Sequence, residues 1–381
     1  MDICYVINHL KGDGAQRLIL KIIDNNTNED IQFTTCAIES YNPLIPEFER
    51  AGSTVVTFDA RSKFDIPALR RMFNYFRQTD FDLLHAHLPY SQISGRVFGK
   101  LGGIPVIIST QHNVPENYHH VERVMERATR PIDHVTVAVS NGVKQQFENE
   151  SHSCELNLTS WKTIHNGIDA NGFNRRVRGV DTVVARNRWE IDIDDTVFLN
   201  VSRYVPAKAQ QDIIRAMATI RHCDPDVHLF LVGGGRLEGS LRQTVVQLGL
   251  EDQVTITGRV SDQSIREFYA IADVFVTSSV HEGLPTTILE AMASELPVVA
   301  TDIPGVRELI TDDSGILVQP RSPPDLAEGM TKMQTKKRQR RYGQNGFRRV
   351  SERFDISRIV DEHLELYRTL SDSAVVTDRF T

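Results

Sequence analysis

Short runs of β-branched and other apolar residues alternate with amphipathic, helix-like segments along almost the whole chain. Parallel strands are joined by crossovers that usually hold a helix, so this alternation predicts βαβ units. An α/β fold with two doubly wound, Rossmann-like domains is therefore expected. The predicted strands are ICYVI, QFTTCAI, TVVTF, DLLHAH, PVIIST, HVTVAVS and KTIH in the first part, and TVFLNVS, VHLFLVG, VTIT, DVFVTS, PVVAT and GILV in the second.

A break in this pattern predicts where the first domain ends. The stretch from about Ile168 to Asp195 is polar and irregular, and 381 residues are more than one hydrophobic core usually serves. We expect an N-terminal domain at 1–175, a C-terminal domain at 176–355, and an amphipathic helix with a frayed polar tail at 356–381. Two such open sheets would face each other across a cleft, and ligands would bind there, at the carboxyl ends of the strands.

The composition excludes several classes of protein. Forty per cent hydrophobic residues, 24% charged residues and a net charge of −7 are typical of a globular protein and argue against a nucleic-acid binder. No apolar run approaches the roughly 20 residues of a membrane-spanning helix, and the first residues do not resemble a signal peptide. The four cysteines are far apart, which excludes a cysteine-rich zinc module and predicts free thiols in a reducing compartment. We expect a cytoplasmic protein, either soluble or peripheral at the inner face of the membrane. The cysteines are Cys4, Cys36, Cys154 and Cys223.

The stretch HEGLPTTILEAMA places Glu282 and Glu290 around the start of a helix that follows the strand DVFVTSS. Backbone N–H groups at a helix start bind phosphate, and eight helical residues span about 12 Å. A diphosphate held there would have one carboxylate on each side, and carboxylates accept hydrogen bonds from hydroxyl groups. The spacing thus favours a nucleotide sugar, with Glu282 at the sugar and Glu290 at the ribose. The alternative is that Glu282 only interacts with the helix dipole and that Glu290 is a solvated helix residue.

Two cations and a glycine triplet follow other strands of the second domain. Arg203 and Lys208 lie in SRYVPAK, where they would balance the charge of a leaving diphosphate, or form an ordinary surface pair. The triplet that begins at Gly233 permits close approach of backbone to a ligand, or is only a turn. The segment VTITGRV ends another strand, and we expect main-chain groups from Gly258 to Val260, including Arg259, to contact the edge of a nucleobase.

These segments together resemble the nucleotide-sugar-binding half of the retaining glycosyltransferases of family 4, which have the GT-B fold. The matching segments are SRYVPAK, LVGGGR, ITGRV, DVFVTSSVHEGLPTTILEAMASELPVVAT and SGILV, in the order of the family. The resemblance implies that Glu282 contacts the donor sugar, Glu290 the ribose, and the two cations the diphosphate. It also implies a C-terminal helix that returns to the N-terminal domain. The further donor-binding residues that we expect are Gly14, Gly233, Arg259, Val260, Gly283, Leu284 and Pro285.

The sequence departs from the family pattern at two places beside these glutamates. Glu295 stands where the family usually has glycine, and Pro285 stands where many members have glycine. We expect the first departure to affect only a turn and the second to affect donor preference.

The first domain carries the signals expected of the acceptor side. Gly12 and Gly14 resemble the family's glycine-rich loop, with Asp13 inserted. His85 and His87 end one predicted strand, and His112 follows another. A lone histidine is more often structural than catalytic, but two such strand ends at one site favour a functional reading. The resemblance makes His112 the histidine nearest the reacting centre.

Three other signals are discounted. Asp192 and Asp194 have the Asp-x-Asp spacing of metal-dependent transferases but precede a strand, so a solvated loop is expected and no metal site. The basic run from Lys336 to Arg341 is expected to be an exposed helix face. The basic aromatic segment LRRMFNYFRQ suits either an anionic membrane surface or a plain amphipathic helix.

The sequence therefore predicts a retaining glycosyltransferase that moves a hexose from a nucleotide diphosphate sugar to an acceptor hydroxyl, in glycan, glycolipid or polysaccharide assembly. The acceptor would be a glycan or a lipid-linked molecule, and no cofactor is needed beyond the donor itself. The expected catalytic residues are His112, Arg203, Lys208 and Glu282. The alternatives are a nucleotide-sugar epimerase or a phosphorylase of similar layout, or a non-catalytic sugar-binding protein.

Overall fold

A computed structural model describes residues 1–63, 65–151, 160–261 and 263–378 of the chain. The strands are β1 Asp2–Ile7, β2 Gln32–Glu39, β3 Ser53–Ala60, β4 Leu83–His87, β5 Val106–Gln111, β6 Val135–Ala138, β7 Ser160–Thr163, β8 Thr196–Val201, β9 Val227–Val232, β10 Val254–Gly258, β11 Val274–Thr277, β12 Val298–Thr301 and β13 Gly315–Val318. The helices are α1 Gly14–Asp24, α2 Ile45–Arg50, α3 Ile66–Gln78, α4 Pro89–Gly102, α5 His120–Thr129, α6 Asn141–Ser151, α7 Ala170–Arg178, α8 Thr182–Arg188, α9 Gln210–Ile220, α10 Glu238–Gln247, α11 Ile265–Ile271, α12 Thr286–Ala293, α13 Pro304–Arg307, α14 Pro323–Lys332, α15 Lys336–Arg353 and α16 Ile356–Asp378.

The chain forms two compact units. The first contains Met1–Gly167 and the chain from Ile356 on, and the second contains Ile168–Asp355. Each unit has one parallel sheet with helices between successive strands, which confirms the prediction of two doubly wound, Rossmann-like domains. Every predicted strand is present. The central strands are buried and rich in apolar residues, as suits strands that are covered on both faces, whereas the edge strand β7 is half-buried.

The first sheet has seven strands in the order β3-β2-β1-β4-β5-β6-β7. The order reverses between β1 and β4, whose last residues, Ile7 and His87, are paired in register. One face packs against α1 and α16 through a core that includes Tyr5, Ile19 and Tyr367. The other face packs against α3 and α4. Parallel sheets bind ligands where the strand order reverses, so this sheet offers the carboxyl ends of β1 and β4.

The second sheet has six strands in the order β10-β9-β8-β11-β12-β13. Its order reverses between β8 and β11, which pair at Phe198 and Val274. A core cluster lies between this sheet and the helices α9, α10 and α14. The loops that follow β8 and β11 therefore lie side by side, and these are the loops that carry the predicted cations and Glu282.

The helix α16 returns to the first unit, as predicted. The hydroxyl oxygen of Tyr367 on α16 lies 2.9 Å from the hydroxyl oxygen of Tyr5 on β1 and 2.7 Å from Nδ1 of His85 on β4. The predicted frayed tail is wrong as far as Asp378, because the helix continues to that residue.

The prediction of an irregular stretch from Ile168 to Asp195 is also wrong, because α7 and α8 occupy most of it. Carboxylates cap both helices: Asp169 accepts from the backbone N–H of Gly172 at 2.7 Å, and Asp181 accepts from that of Val184 at 3.1 Å. The polarity of this stretch reflects short helices that bury little apolar surface.

Three of the four cysteines are described, and all three are free thiols: Cys4 and Cys36 are buried and Cys223 is exposed. Cys154 lies outside the described residues. In the described part of the chain, no helix is both long enough and apolar enough to cross a membrane.

Candidate active site

Glu282 lies in the loop between β11 and α12, four residues before the helix begins. Its Oε1 accepts a hydrogen bond of 2.7 Å from the hydroxyl of Ser279 and pairs with the ammonium group of Lys208. The Lys208 and Glu282 side chains are 19% and 11% exposed. A carboxylate at this depth needs such partners, because burial without them is costly. The structure thus brings together two of the residues that the sequence singled out.

Hydrogen bonds from the loop after β11 hold the loop after β8 in place. Lys208 ends a short 3₁₀ helix at Pro206–Lys208. The hydroxyl of Ser278 donates to the carbonyl oxygens of Lys208 and Ala209 at 2.9 and 2.8 Å. These bonds fix the backbone of the lysine before any ligand arrives.

Arg203 lies in the same loop as Lys208, but its environment differs. Its side chain is exposed, and its guanidinium group has no hydrogen bond or ion pair to any residue that the structure describes. Gln210 donates instead to the backbone oxygen of Arg203 at 2.8 Å. The backbone of Arg203 is therefore fixed while its cationic group is available to an anion.

Glu290 lies on α12, and one of its partners is a buried tyrosine. The hydroxyl of Tyr269 on α11 donates to its Oε2 at 2.8 Å. Burial and the negative charge of Glu290 raise the pKa of Tyr269 well above its usual value. The phenol therefore stays protonated and remains a donor.

The three residues that follow Glu282 are buried. Gly283, Leu284 and Pro285 are largely inaccessible to solvent, and Pro285 is the residue directly before the first turn of α12. Proline has no side-chain oxygen that could cap a helix, so it does not compete with a ligand for the N–H groups of this turn.

The glycine triplet has a structural reason in this fold. Gly233 has φ of +145°, and a Cβ atom there would lie 2.0 Å from the carbonyl oxygen of Ser202. A Cβ at Gly235 would lie 2.5 Å from the carbonyl oxygen of Tyr204. The packing of the loop after β9 on the loop after β8 therefore requires glycine at these two positions, whether or not a ligand binds there. Of the other predicted donor-binding residues, Arg259 is exposed and Val260 is half-buried.

In the first unit, His112 follows β5 and lies beside the end of β4. Its Nε2 is 2.8 Å from Nδ1 of His87, and the two rings are 5.1 Å apart. Burial and the nearby His363 lower the pKa of His112 to about 3. It is therefore a neutral imidazole near pH 7, which donates with one nitrogen and accepts with the other.

His85 has the environment of a structural residue. It is fully buried, its Nε2 is 2.6 Å from the hydroxyl of Thr110, and its Nδ1 is bonded to Tyr367. Both of its ring nitrogens are thus satisfied within the protein.

Gly14 is the first residue of α1, and a Cβ there would meet no atom within 4 Å.

The sequence analysis missed two residues that contact the predicted glutamates of the second unit. Ser279 lies within the quoted strand end DVFVTSS, where its position just past the strand was a usable signal. Tyr269 lies on the buried face of α11, and nothing in its local sequence separates it from an ordinary core aromatic. No cluster of three His, Cys, Asp or Glu suited to a metal ion is present in residues 1–63, 65–151, 160–261 and 263–378.

Two family models match most of the chain. Residues 183–349 match the model described as glycosyl transferases group 1, and residues 12–171 match glycosyltransferase family 4. An uncharacterised glycosyltransferase of Methanocaldococcus jannaschii, MJ1607, is 30% identical over 54% of this chain and 53% of its own length. The putative glycosyltransferase EpsD of Bacillus subtilis is 31% identical over 54% of each chain. The matched region therefore spans about half the length of these curated relatives.

Solved structures show the same fold over nearly the whole chain. Anabaena Alr3699/HepE, in complex with UDP and glucose, has a TM-score of 0.83 and 21% identity, covering 97% of this chain and 100% of the other. Sucrose-phosphate synthase of Thermosynechococcus elongatus has a TM-score of 0.82 and 19% identity, covering 98% and 100%. The chain belongs to the glycosyltransferases of group 1 and family 4, and it has their GT-B fold.

Proposed function

We propose that this protein is a retaining glycosyltransferase that moves a hexose from a nucleoside diphosphate sugar to an acceptor hydroxyl. The observation that carries the proposal is the contact of Lys208, Ser279 and Glu282 at the point where the strand order of the second sheet reverses. A cation suits the diphosphate and a carboxylate suits the hydroxyls of a sugar. A protein that only bound free sugars would not need the cation.

Charge stabilisation of the leaving group is the main contribution that we assign to this site. Lys208 and Arg203 would bind the diphosphate, together with the N–H groups at the start of α12. The backbone of Lys208 is already held by Ser278, so little reorganisation is needed when the donor binds. Because these groups supply positive charge, the proposal requires no metal ion or other cofactor.

In the proposed reaction, the bond between the anomeric carbon and the diphosphate oxygen breaks. The acceptor oxygen bonds to the same face of that carbon, and the acceptor proton passes to the departing diphosphate. The configuration of the sugar is therefore retained. Glu282 orients the sugar through its hydroxyls, and we do not assign it the role of a covalent nucleophile, because its carboxylate is paired with Lys208.

The other predicted residues take binding roles in this proposal. Glu290 would accept hydrogen bonds from the ribose, and His112 would bind a sugar hydroxyl as a neutral imidazole, since its pKa of about 3 excludes a cationic role near pH 7. Gly14 would allow close approach of backbone to the ligand.

The relatives suggest the donor and the acceptor class to test first. HepE was crystallised with UDP-glucose, so UDP sugars are the first donors to screen, and GDP sugars the next. TuaC of Bacillus subtilis, 26% identical over 66% of this chain, is named as a putative teichuronic acid biosynthesis glycosyltransferase. We therefore propose a glycan or lipid-linked acceptor in the assembly of a polysaccharide or glycolipid.

The test combines a donor screen with two charge-removing variants. Release of nucleoside diphosphate would be measured with and without acceptors, and the anomeric configuration of the product by NMR. Glu282→Gln is expected to lower kcat about 100-fold with little change in KM, because it acts on the sugar. Glu290→Gln is expected to raise the donor KM about tenfold, because it acts on the ribose.

A matched control is Glu328→Gln, which removes the carboxylate of an exposed pair with Lys332 on α14. This control is expected to have wild-type kinetics. Wild-type kinetics in Glu282→Gln and Glu290→Gln as well would contradict the proposal. Isomerised sugar formed without an acceptor would identify an epimerase, and donor binding without any turnover would identify a binding protein.

A further inference from the structure

Tyr269 is a buried tyrosine whose hydroxyl reaches the predicted ribose-binding carboxylate. The residue is 1% exposed, on α11. Its ring is stacked on Phe275 of β11, with centroids 6.2 Å apart, and meets Phe173 of α7 edge-on at 5.5 Å. Aromatic packing on both sides thus fixes the ring, and the ring in turn fixes the position of its oxygen.

The bond from this hydroxyl to Glu290 has an unambiguous direction. A carboxylate is an acceptor, so the phenol donates its proton to Oε2 at 2.8 Å. Bonds from a hydroxyl to a carboxylate are among the stronger hydrogen bonds of proteins. The terminal torsion of a glutamate is soft, so a strong donor at one carboxylate oxygen restricts the plane in which the carboxylate lies.

We propose that Tyr269 is a positioning residue for ribose recognition, which holds the Glu290 carboxylate in the orientation that accepts hydrogen bonds from the ribose hydroxyls. The inference rests on the proposed function, in which Glu290 binds the ribose of the donor. A phenylalanine would keep the contacts with Phe173 and Phe275, so aromatic packing alone does not account for the hydroxyl. The raised pKa of Tyr269 ensures that the donor proton is present throughout the working pH range.

A purely structural role, in which the hydroxyl only ties α11 to α12, would have a different consequence. A loosened tie would weaken every contact of the donor in similar proportion. A misoriented carboxylate would weaken only the contacts that depend on ribose hydroxyls. The two roles are therefore distinguished by a pair of ligands that differ in those hydroxyls alone.

The experiment is calorimetric titration of the full chain with UDP and with 2′,3′-dideoxy-UDP. In the wild type, UDP is expected to bind at least tenfold more tightly, as for a hydrogen bond to a charged group. In Tyr269→Phe, the ratio of the two dissociation constants is expected to fall at least threefold, mainly through weaker UDP binding. Glu290→Gln is expected to reduce the same ratio.

Tyr204→Phe is the matched control for the loss of a buried hydroxyl in the same unit. Tyr204 is fully buried, and its hydroxyl donates to the backbone oxygen of Leu231 at 2.7 Å. Any loss of stability in this variant should leave the UDP to dideoxy-UDP ratio at the wild-type value. Thermal unfolding of both variants would verify that they are folded during the titrations.

The outcomes separate the inference from the proposed function. If the wild type prefers UDP to its dideoxy form and Tyr269→Phe keeps that ratio, the inference is overturned while the donor site stands. A fall of the ratio in Tyr204→Phe equal to that in Tyr269→Phe would also overturn it. If the wild type binds none of UDP, GDP, UDP sugars and GDP sugars, the proposed function fails and the inference fails with it.

Discussion

Lowering the pH from about 7.5 to about 5.5 is expected to destabilise the first unit by about 5 kcal/mol, because four of its histidines, three of them buried and His112 half-buried, are neutral in the folded protein. Burial, with smaller contributions from neighbouring histidines, lowers the pKa of His85 and His87 well below the usual value. Burial likewise lowers the pKa of His112 to about 3 and that of His363 to about 4. At either pH the folded unit therefore binds almost no protons at these four sites.

The magnitude follows from the unfolded chain, in which a histidine has a pKa of about 6.5. Over this pH range each unfolded histidine gains most of a proton that the folded protein does not bind, which favours unfolding by about 1.4 kcal/mol. The stabilisation is fully present above about pH 6.5 and is lost as the pH falls toward the folded pKa values. Four such sites approach the whole stability of many domains, which is about 5–15 kcal/mol.

Urea unfolding followed by tryptophan fluorescence measures this change in one unit at a time. The chain has two tryptophans, Trp161 in the first unit and Trp189 in the second. Trp189→Phe leaves the signal of the first unit alone. An unfolding free energy for that unit that does not change between the two pH values would refute the reasoning.

His363→Leu supplies a sharper comparison. This substitution removes one buried site, so the slope of the unfolding free energy against pH should decrease by about one proton, whatever the variant costs at pH 7.5. An unchanged slope would show that His363 is protonated in the folded state.

Two further predictions concern stability. Arg96 is fully buried against the carboxylates of Glu126 and Asp133, so Arg96→Met should lower the unfolding free energy of the first unit by about 3–5 kcal/mol, and a loss below about 1 kcal/mol in urea unfolding would contradict this. Glu295 has φ of +60° where the family usually has glycine, and it is paired with Arg178. In an Arg178→Ala background, which removes this pair, Glu295→Gly should therefore raise the unfolding free energy of the second unit by about 1 kcal/mol. Urea unfolding would measure the change. A decrease would show that the left-handed backbone costs little.

Most of the strands were predictable because they are short apolar runs covered on both faces, a signal that is local in the sequence, although the edge strand β7 is only half-buried. The helices α7 and α8 were not, because their stability depends on partners far along the chain. Asn174 on α7 donates to the backbone oxygen of Ala293 at 2.8 Å, and Arg178 pairs with Glu295. Their Asp caps were local signals, but the polar residues between them concealed the helical pattern.

The candidate site, like the fold, was predictable only where the signal is local in the sequence. Lys208 and Glu282 were found because each follows a strand, and adjacent strand ends in a parallel sheet bring such residues together. The difference between His85 and His112 was not visible from the sequence. It depends on Tyr367, which is 282 residues from His85 and satisfies its Nδ1. His112 instead bonds to His87, at the end of the neighbouring strand.

Glu282 has a cationic partner, Lys208, beside the hydroxyl of Ser279, whereas Glu290 accepts from the hydroxyl of Tyr269, and the cation bears on how a donor would be oriented. Lys208 brings a positive charge to Glu282, so that end of the motif suits a part of the ligand that carries both hydroxyls and negative charge. Tyr269 brings a neutral O–H to Glu290, which adds no attraction for phosphate. A nucleotide sugar has hydroxyls at both ends and its diphosphate in between, so in the proposed function the lysine would place the sugar end of the donor at Glu282. Under that proposal, residue spacing would set the length of ligand that fits, and the partners of the two carboxylates would set its direction.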